Sequence, residues 1–467
     1  MINISLKSEF YSYDAFHIVK AFFPSEDIKR KIDNEQTVLV TIVTPDNTVI
    51  NINQDIEFEK REKKQKKHFI NKKIYKELKK CTGIELEWGI LTGIRPTKIV
   101  MKELEKGYRT EQVIAWLQDY YEVSDKKAKL SVDIALREQE ILKTLDYKDG
   151  YSLYVGIPFC PTTCSYCSFT SYPIAIWKDR VNEYMDAMLK EITYVGNKSR
   201  HKKLNSIYVG GGTPTTLEPY QLERLLTHIE STFSYDNVKE ITVEAGRPDS
   251  ITREKLEVLR KHNISRISIN PQSMQQKTLQ KIGRRHTVED IIKVFHMARE
   301  LGFTNINMDL IVGLPGETID DVYDTLAQVE QLMPDSLTVH CLAVKRAARM
   351  SQADVEDNPA QMSQMIELAS QYAQKMNLVP YYLYRQKNMT GNFENVGYAK
   401  VDKIGIYNIL IMEEKQSIVA VGAGASTKIV LPREKDNIIR IENVKDIDLY
   451  ITKIDEMIER KGEWLWL

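Results

Sequence analysis

From residue 151 onward the chain alternates short apolar runs with amphipathic stretches. The runs are "SLYVGIPF" (152–159), "NSIYVGGG" (205–212), "KEITVEAG" (239–246), "ISRISINPQ" (264–272), "NINMDLIVGLP" (305–315) and "SLTVHCLAV" (336–344). They are near-continuously apolar, the pattern of strands buried on both faces. Between them, the stretches 176–198, 218–233, 252–262, 287–301 and 318–332 read as helices. Six strands alternating with helices predict an α/β fold with a parallel sheet. Glycines or polar residues end nearly every strand, and in βα barrels that rim carries the chemistry.

The rhythm differs on either side. Residues 1–58 read as β-rich, with "TVLVTIVTPDNTVININ" predicting two strands around a Pro-Asp-Asn turn. Residues 59–80, "EKREKKQKKHFINKKIYKELKK", place Phe69, Ile70, Ile74 and Leu78 at helical spacing. A solvated amphipathic helix is the expectation there, ahead of an RNA or acidic-partner surface. Further helices are expected over 96–145, entered through "TGIRPTK" with Pro96 in the first turn. "YKDG" at 147–150 marks a boundary. After 351 come a helix at 359–377, strands "IYNILIM" and "QSIVAVGAG", and a helix at 446–460. The expected organisation is an N-terminal α+β extension (1–150; β-rich 1–58, helical 59–145), a (β/α)6 core (151–350) and a C-terminal α+β region (351–467).

Of 467 residues, 42% are hydrophobic and 28% charged, ordinary for a chain with a full core. The 65 basic and 65 acidic residues balance, so no global charge favours nucleic acid or an anionic membrane. The start, "MINISLKSEFYSYDAF", lacks the basic and apolar segments of a signal peptide, and no run is long enough to span a bilayer. A cytoplasmic location is expected.

The chemistry concentrates in "CPTTCSYC", where Cys160, Cys164 and Cys167 follow directly on the first of the six strands. Soft thiolates at this spacing bind zinc or an iron–sulfur cluster. A structural zinc needs a fourth ligand, for which Cys81, His340 and Cys341 are the distant candidates. A cubane cluster held by three cysteines instead leaves one iron open to a small molecule.

"LYVGIPFCPTTCSYCSF", "GGGTPT" (210–215), "VEAGRPDSIT" with Glu244, "ISRISINPQSM" with "GRRH", "MDLIVGLPGET" and "VGAGAS" (421–426) occur in an order that resembles the radical S-adenosylmethionine (SAM) superfamily. Within it, they resemble the oxygen-independent coproporphyrinogen III oxidase (dehydrogenase) family and look most like its HemZ-type branch. The resemblance implies a partial (β/α)6 radical SAM barrel, one [4Fe-4S] cluster on Cys160, Cys164 and Cys167, and one or two molecules of SAM. It implies cofactor contacts at Tyr154, Tyr166, Gly211, Gly212, Thr213, Glu244, Gln272, Arg284, Asp309 and Ala343. It also implies a porphyrinogen substrate, whose propionates become vinyl groups, and a low-potential donor such as flavodoxin or ferredoxin. Lys345, Arg346, Arg349, Arg385 and Lys387 are candidates to clamp the propionates.

Some positions depart from the pattern. Gly156 stands where the family has His, Phe169 where the well-studied dehydrogenases have a further Cys, and "INPQS" where "IGVQS" is usual. The rival within the superfamily is a haem chaperone, which carries a His-Asn-x-x-Tyr-Trp segment. The corresponding "KNMTGNFENVGY" has neither His nor Trp, which favours the enzyme.

Overall fold

The computed structural model describes residues 1–467 apart from 94, 346–347, 352–353, 355–357, 386–392, 432–437, 463 and 467. The described chain divides into two compact units. One comprises Met1–Ala135, Glu356–Gln364 and Leu383–Glu394; the other comprises Leu136–Val355, Met365–Tyr382 and Asn395–Leu467. Among the described residues no helix is long and apolar enough to cross a membrane.

The first unit contains β1 (Ile2–Leu6), α1 (Ser12–Phe22), β2 (Ile28–Ile32), β3 (Val40–Val43) and β4 (Val49–Ile52), in sheet order β2-β1-β3-β4. β1 and β2 run parallel, so the chain must cross over between them, and α1 is that crossover. A region expected to be β-rich thus holds an eleven-residue helix. Its Ala15, Ile18, Val19 and Phe22 repeat at helical spacing and are buried. β3 and β4 form the expected hairpin, with Asn47 left-handed in its turn (φ 63°). α2 (Lys63–Thr82) buries Ile70, Ile74, Tyr75 and Leu78, and Gly83 ends it at φ 69°. Its lysines pair with neighbours, Lys66 with Glu59 at 2.8 Å and Lys67 with Asp14 at 3.1 Å. α3 (Pro96–Glu105), α4 (Thr110–Tyr121) and α5 (Asp125–Lys143) follow, α3 opening on Pro96 as expected and α5 passing from the first unit into the second after Ala135.

The second unit is built on β5 (Gly150–Ile157), followed by the short strands β6 (Phe159–Cys160) and β7 (Tyr172–Pro173). α6 (Ile174–Trp177) and α7 (Val181–Lys198) lead to β8 (Lys203–Gly211), α8 (Pro219–Thr232) and β9 (Glu240–Gly246). α9 (Arg253–Lys261), β10 (Arg266–Ile269), α10 (Gln276–Lys281), α11 (Val288–Glu300), β11 (Ile306–Val312), α12 (Ile319–Leu332) and β12 (Ser336–Cys341) complete the alternation. β5, β8, β9, β10, β11 and β12 are neighbours in chain order, every pair parallel. This is the α/β architecture the alternation predicts.

After α13 (Pro359–Lys375), the strands β13 (Val379–Arg385), β14 (Glu394–Ala399), β15 (Ser417–Val421), β16 (Ser426–Val430) and β17 (Ile438–Glu442) extend the sheet at both ends, with α14 (Ile406–Glu413) between β14 and β15. Its order is β13-β14-β12-β11-β10-β9-β8-β5-β15-β16-β17. β15 lies parallel to β5, and β14 antiparallel to β12. The six strands therefore meet C-terminal segments at each flank, as in a partial barrel.

"IYNILIM", read from sequence as a strand, is the helix α14. A short apolar run does not distinguish a strand from a buried helix. Here Glu240 decides, accepting the Ile406 N–H at 2.7 Å and the Tyr407 N–H at 3.1 Å, donors left over at a helix start. Tyr407 then stacks on Tyr208 of β8 with centroids 4.3 Å apart.

α15 (Ile447–Thr452) and α16 (Ile454–Gly462) close the chain. They complete a fully buried polar knot on Glu191 of α7. Its carboxylate accepts from Lys461 (2.6 Å), Asn443 (2.9 Å), the Gly422 N–H (2.9 Å) and the Tyr450 hydroxyl. Lys461→Ala strands that carboxylate and should cost about 3–5 kcal/mol, read as a lower urea midpoint. A loss below about 1 kcal/mol, the level of an exposed pair, would contradict this role.

Candidate functional site

Pro158 to Pro173 form a loop tied at its base. β6 and β7 pair in parallel, and the Tyr172 N–H donates to the Pro158 carbonyl at 2.8 Å. Cys160 and Cys164 are buried and Cys167 is half-buried; none forms a disulfide. Thr213 donates to the Cys160 sulfur at 3.5 Å, Arg247 lies 3.8 Å from the Cys164 sulfur, and the Ser171 hydroxyl 4.0 Å from that of Cys167. Burial pushes the Cys160 thiol up to about 11. A thiolate there therefore calls for a cation. Among the described residues no three His, Cys, Asp or Glu side chains gather closely enough to hold a single metal ion. Of the zinc candidates, Cys81 is exposed in the first unit, and Cys341 and His340 point to opposite faces of β12.

The end of β8 presses against this loop. The Gly212 N–H donates to the Ile157 carbonyl and the Thr213 N–H to the Phe159 carbonyl, both at 2.7 Å. A Cβ at Gly212 would sit 2.5 Å from the Phe159 carbonyl oxygen and 3.0 Å from the Cys160 sulfur. Gly211 adopts φ 112°, a conformation side chains avoid. Side-chain-free backbone is thus required at the rim beside the cysteines.

Glu244 stands half-buried near the end of β9 and accepts from the Tyr208 hydroxyl. Burial, reinforced by the charge of Asp309, pushes its carboxyl up to about 7 against the hydrogen bonds from Tyr208 and the Gly211 N–H. Tyr154 stacks on Tyr208, centroids 6.1 Å apart, so it joins the same face.

The third group gathers around Tyr166. Its hydroxyl donates to Gln272 and accepts from Arg284, each at 3.3 Å. The Gln272 N–H donates to the Asp309 carbonyl at 2.9 Å, and Gln272 takes φ 68°, uncommon for a residue with a side chain. Strain of this kind persists where the surroundings enforce it. Burial raises Asp309, but His340, Asn307 and Thr338 outweigh it and hold its carboxyl below the usual range. Ala343 is half-buried two residues past β12 and offers only a methyl.

Sequence reasoning missed Arg247 and Asp249, which form a bidentate pair (3.0 and 2.6 Å) beneath the cysteine loop. They lie inside "VEAGRPDSIT", where "GRPDS" looks like an ordinary turn. The proposed clamp divides. Arg349 donates to the Thr163 carbonyl, the Met350 N–H to Ser165 (2.9 Å), and Lys345 lies over the exposed Phe169 ring (5.9 Å). Lys345, Arg349 and Met350 thus lie against the cysteine loop. Arg385 is buried in the first unit, donating to the Leu91 carbonyl at 2.5 Å and stacking over Trp88. That removes it from the clamp. Arg346 and Lys387 lie outside the described residues.

The residues fit a cluster and a zwitterionic ligand. The donor set is three thiols backed by a guanidinium and a hydroxyl. Beside it the buried Arg284 Nε, Asn270 Oδ1 and Ser165 Oγ lack hydrogen-bond partners within the protein. Buried polar atoms without partners are costly, and a polar ligand would satisfy them.

The sequence signature of the radical SAM superfamily matches residues 154–329. The chain is 44% identical over 414 residues to the oxygen-independent coproporphyrinogen-III oxidase-like protein HemZ of Bacillus subtilis, spanning 87% of this chain and 82% of that protein. It is 36% identical over 195 residues to the haem chaperone HemW of Bacillus subtilis, a match covering 42% of this chain and 51% of the chaperone. The solved structure of coproporphyrinogen III oxidase (HemN) from Escherichia coli, described as a radical SAM enzyme, matches with a TM-score of 0.54 and 23% identity. That match covers 68% of this chain and 73% of the other, and shows a common fold.

The raised Glu244 carboxyl makes stability depend on pH. Its folded value of about 7 exceeds the ordinary 4.5, so the folded chain holds this proton more tightly than the unfolded one. The resulting stabilisation is complete below about pH 4.5 and is lost as pH rises through about 7. Wild-type protein should lose up to about 3 kcal/mol relative to Glu244→Gln across that window. Urea midpoints of both proteins at several pH values measure it, and parallel profiles would contradict it.

Proposed function

Because the chain belongs to the radical SAM superfamily, in its group of coproporphyrinogen-III oxidase-like proteins, we propose that it oxidatively decarboxylates propionates of coproporphyrinogen III without oxygen. Cys160, Cys164 and Cys167 would hold one [4Fe-4S] cluster, and the rim beside them one SAM, with a second beside Tyr166, Gln272 and Arg284. When bound, the cluster and SAM supply one-electron cleavage of a sulfonium and a 5′-deoxyadenosyl radical that takes hydrogen from the substrate. The observation that carries the reading is a set of three buried or half-buried thiols on one loop, with Cys160 so close to Gly212 that a Cβ there would lie 3.0 Å from its sulfur.

The chain's own residues have separable tasks. Gly211 and Gly212 let the end of β8 close on the start of the cysteine loop. Glu244 accepts from an amino group and is better suited to a cation once ionised. Gln272, Arg284 and Asp309 orient a zwitterion with fixed polar groups. Lys345, exposed beside the cysteine loop, supplies charge for a propionate. Reducing equivalents would come from a low-potential carrier such as flavodoxin or ferredoxin, and a one-electron acceptor would take the electron that the substrate gives up as carbon dioxide leaves.

The match to a haem chaperone supports a second reading, haem binding and transfer. Anaerobic protein given reductant, SAM and coproporphyrinogen III should yield 5′-deoxyadenosine and protoporphyrinogen. Cys164→Ala should abolish both products along with the iron–sulfur absorbance. Stoichiometric, stable haem binding without turnover would instead establish the chaperone reading.

A further inference from the structure

Arg247 lies between β9 and α9, in a short turn after the strand that carries Glu244. It is 4% exposed. Its Nη1 donates to the Thr162 carbonyl (2.7 Å) and hydroxyl (2.8 Å) and reaches the Cys164 sulfur at 3.8 Å. The opposite edge of the guanidinium is fixed by Asp249, through Nε at 3.0 Å and Nη2 at 2.6 Å. Asp249 in turn faces His286, whose side chain is fully buried, 3.7 Å away. A buried cation is thus held by its whole fork and aimed at one sulfur of the cysteine set. Such rigidity exceeds what a turn requires. Two hydrogen bonds to Thr162 would shape the loop without reaching the sulfur.

We propose that Arg247 is a positioning residue that raises the reduction potential of the cluster held by Cys164, by donating to that sulfur from a guanidinium locked by Asp249. Hydrogen bonds to the sulfurs and nearby positive charge both stabilise the more negative, reduced state of an iron–sulfur cluster. This rests on the cluster assignment under the proposed function, but not on any particular substrate. The arginine makes the cluster easier to reduce by a one-electron donor, and Asp249 tempers the effect by partly neutralising it.

The test is an EPR-monitored redox titration of the reconstituted protein without SAM or substrate, alongside iron content and thermal unfolding. Arg247→Gln keeps a donor group but loses the charge. It should load iron like wild type, shift the midpoint to more negative potential, and leave a several-fold smaller reduced fraction at a fixed poise. Asp249→Asn keeps an acceptor for the guanidinium but removes the neutralising carboxylate, so its midpoint should move the opposite way. It carries the test alone if Arg247→Gln fails to load iron. A merely structural role would lower the melting temperature of either variant without opposed shifts in potential. An unchanged midpoint in a loaded variant, or shifts of the same sign in both, overturns the inference while leaving the cluster assignment standing. Wild-type protein that takes up no [4Fe-4S] cluster overturns both.

Discussion

The carbonyl oxygen of Phe159 occupies the space a side chain at residue 212 would need. With glycine there, the end of β8 closes on the start of the cysteine loop through paired hydrogen bonds at 2.7 Å. Closure sets Thr213 against the Cys160 sulfur and leaves bare backbone at the rim. The rest of the site accumulates around this contact. β9 contributes Glu244 and the turn after it Arg247, the chain after β10 brings Gln272 and, beyond α10, Arg284 to Tyr166, and Lys345, Arg349 and Met350 lie against the loop. No one of these segments makes a site alone. Each needs the loop to be where the glycine contact holds it.

The same loop is supported from a distance by buried charge. Gly422 packs so closely on the Gly156 carbonyl that a Cβ would lie 2.4 Å away, and Glu191 holds the Gly422 N–H. Lys461 and Tyr450, from the last helices, complete that carboxylate's shell. Tyr184 links the parts, donating to the Gly156 carbonyl at 2.7 Å and accepting from the Ala423 N–H at 3.0 Å. Pairs of this kind contribute little net stability compared with apolar replacements, but losing one partner is costly. Their effect is to fix position. The C-terminal residues thereby bear on the first barrel strand despite their distance from it in the chain.

What the sequence revealed follows from how local each feature is. Strand runs, the cysteine spacing and the glycine triplet are contiguous, and their chemistry shows in neighbouring letters. The rim residues Gln272, Arg284 and Asp309 came through family resemblance, and the structure brings them together with Tyr166. Arg247 was hidden because its partner Thr162 lies 85 positions away and its own surroundings spell a turn. Lys461 is 270 positions from Glu191 and reads as one more basic residue near the end. The strand expected at "IYNILIM" became a helix because Glu240, far upstream, caps it. Arg385 looked like a ligand for propionates only because its burial against Trp88 leaves no mark in the sequence.

The central claim is that three protein thiolates hold a cluster whose remaining iron is left for SAM. Mössbauer spectra of 57Fe-loaded protein, taken with and without SAM, test it most directly. The account predicts a [4Fe-4S] spectrum in which a single iron site per cluster changes its parameters when SAM is added. A spectrum indifferent to SAM, with every iron site alike, would contradict it.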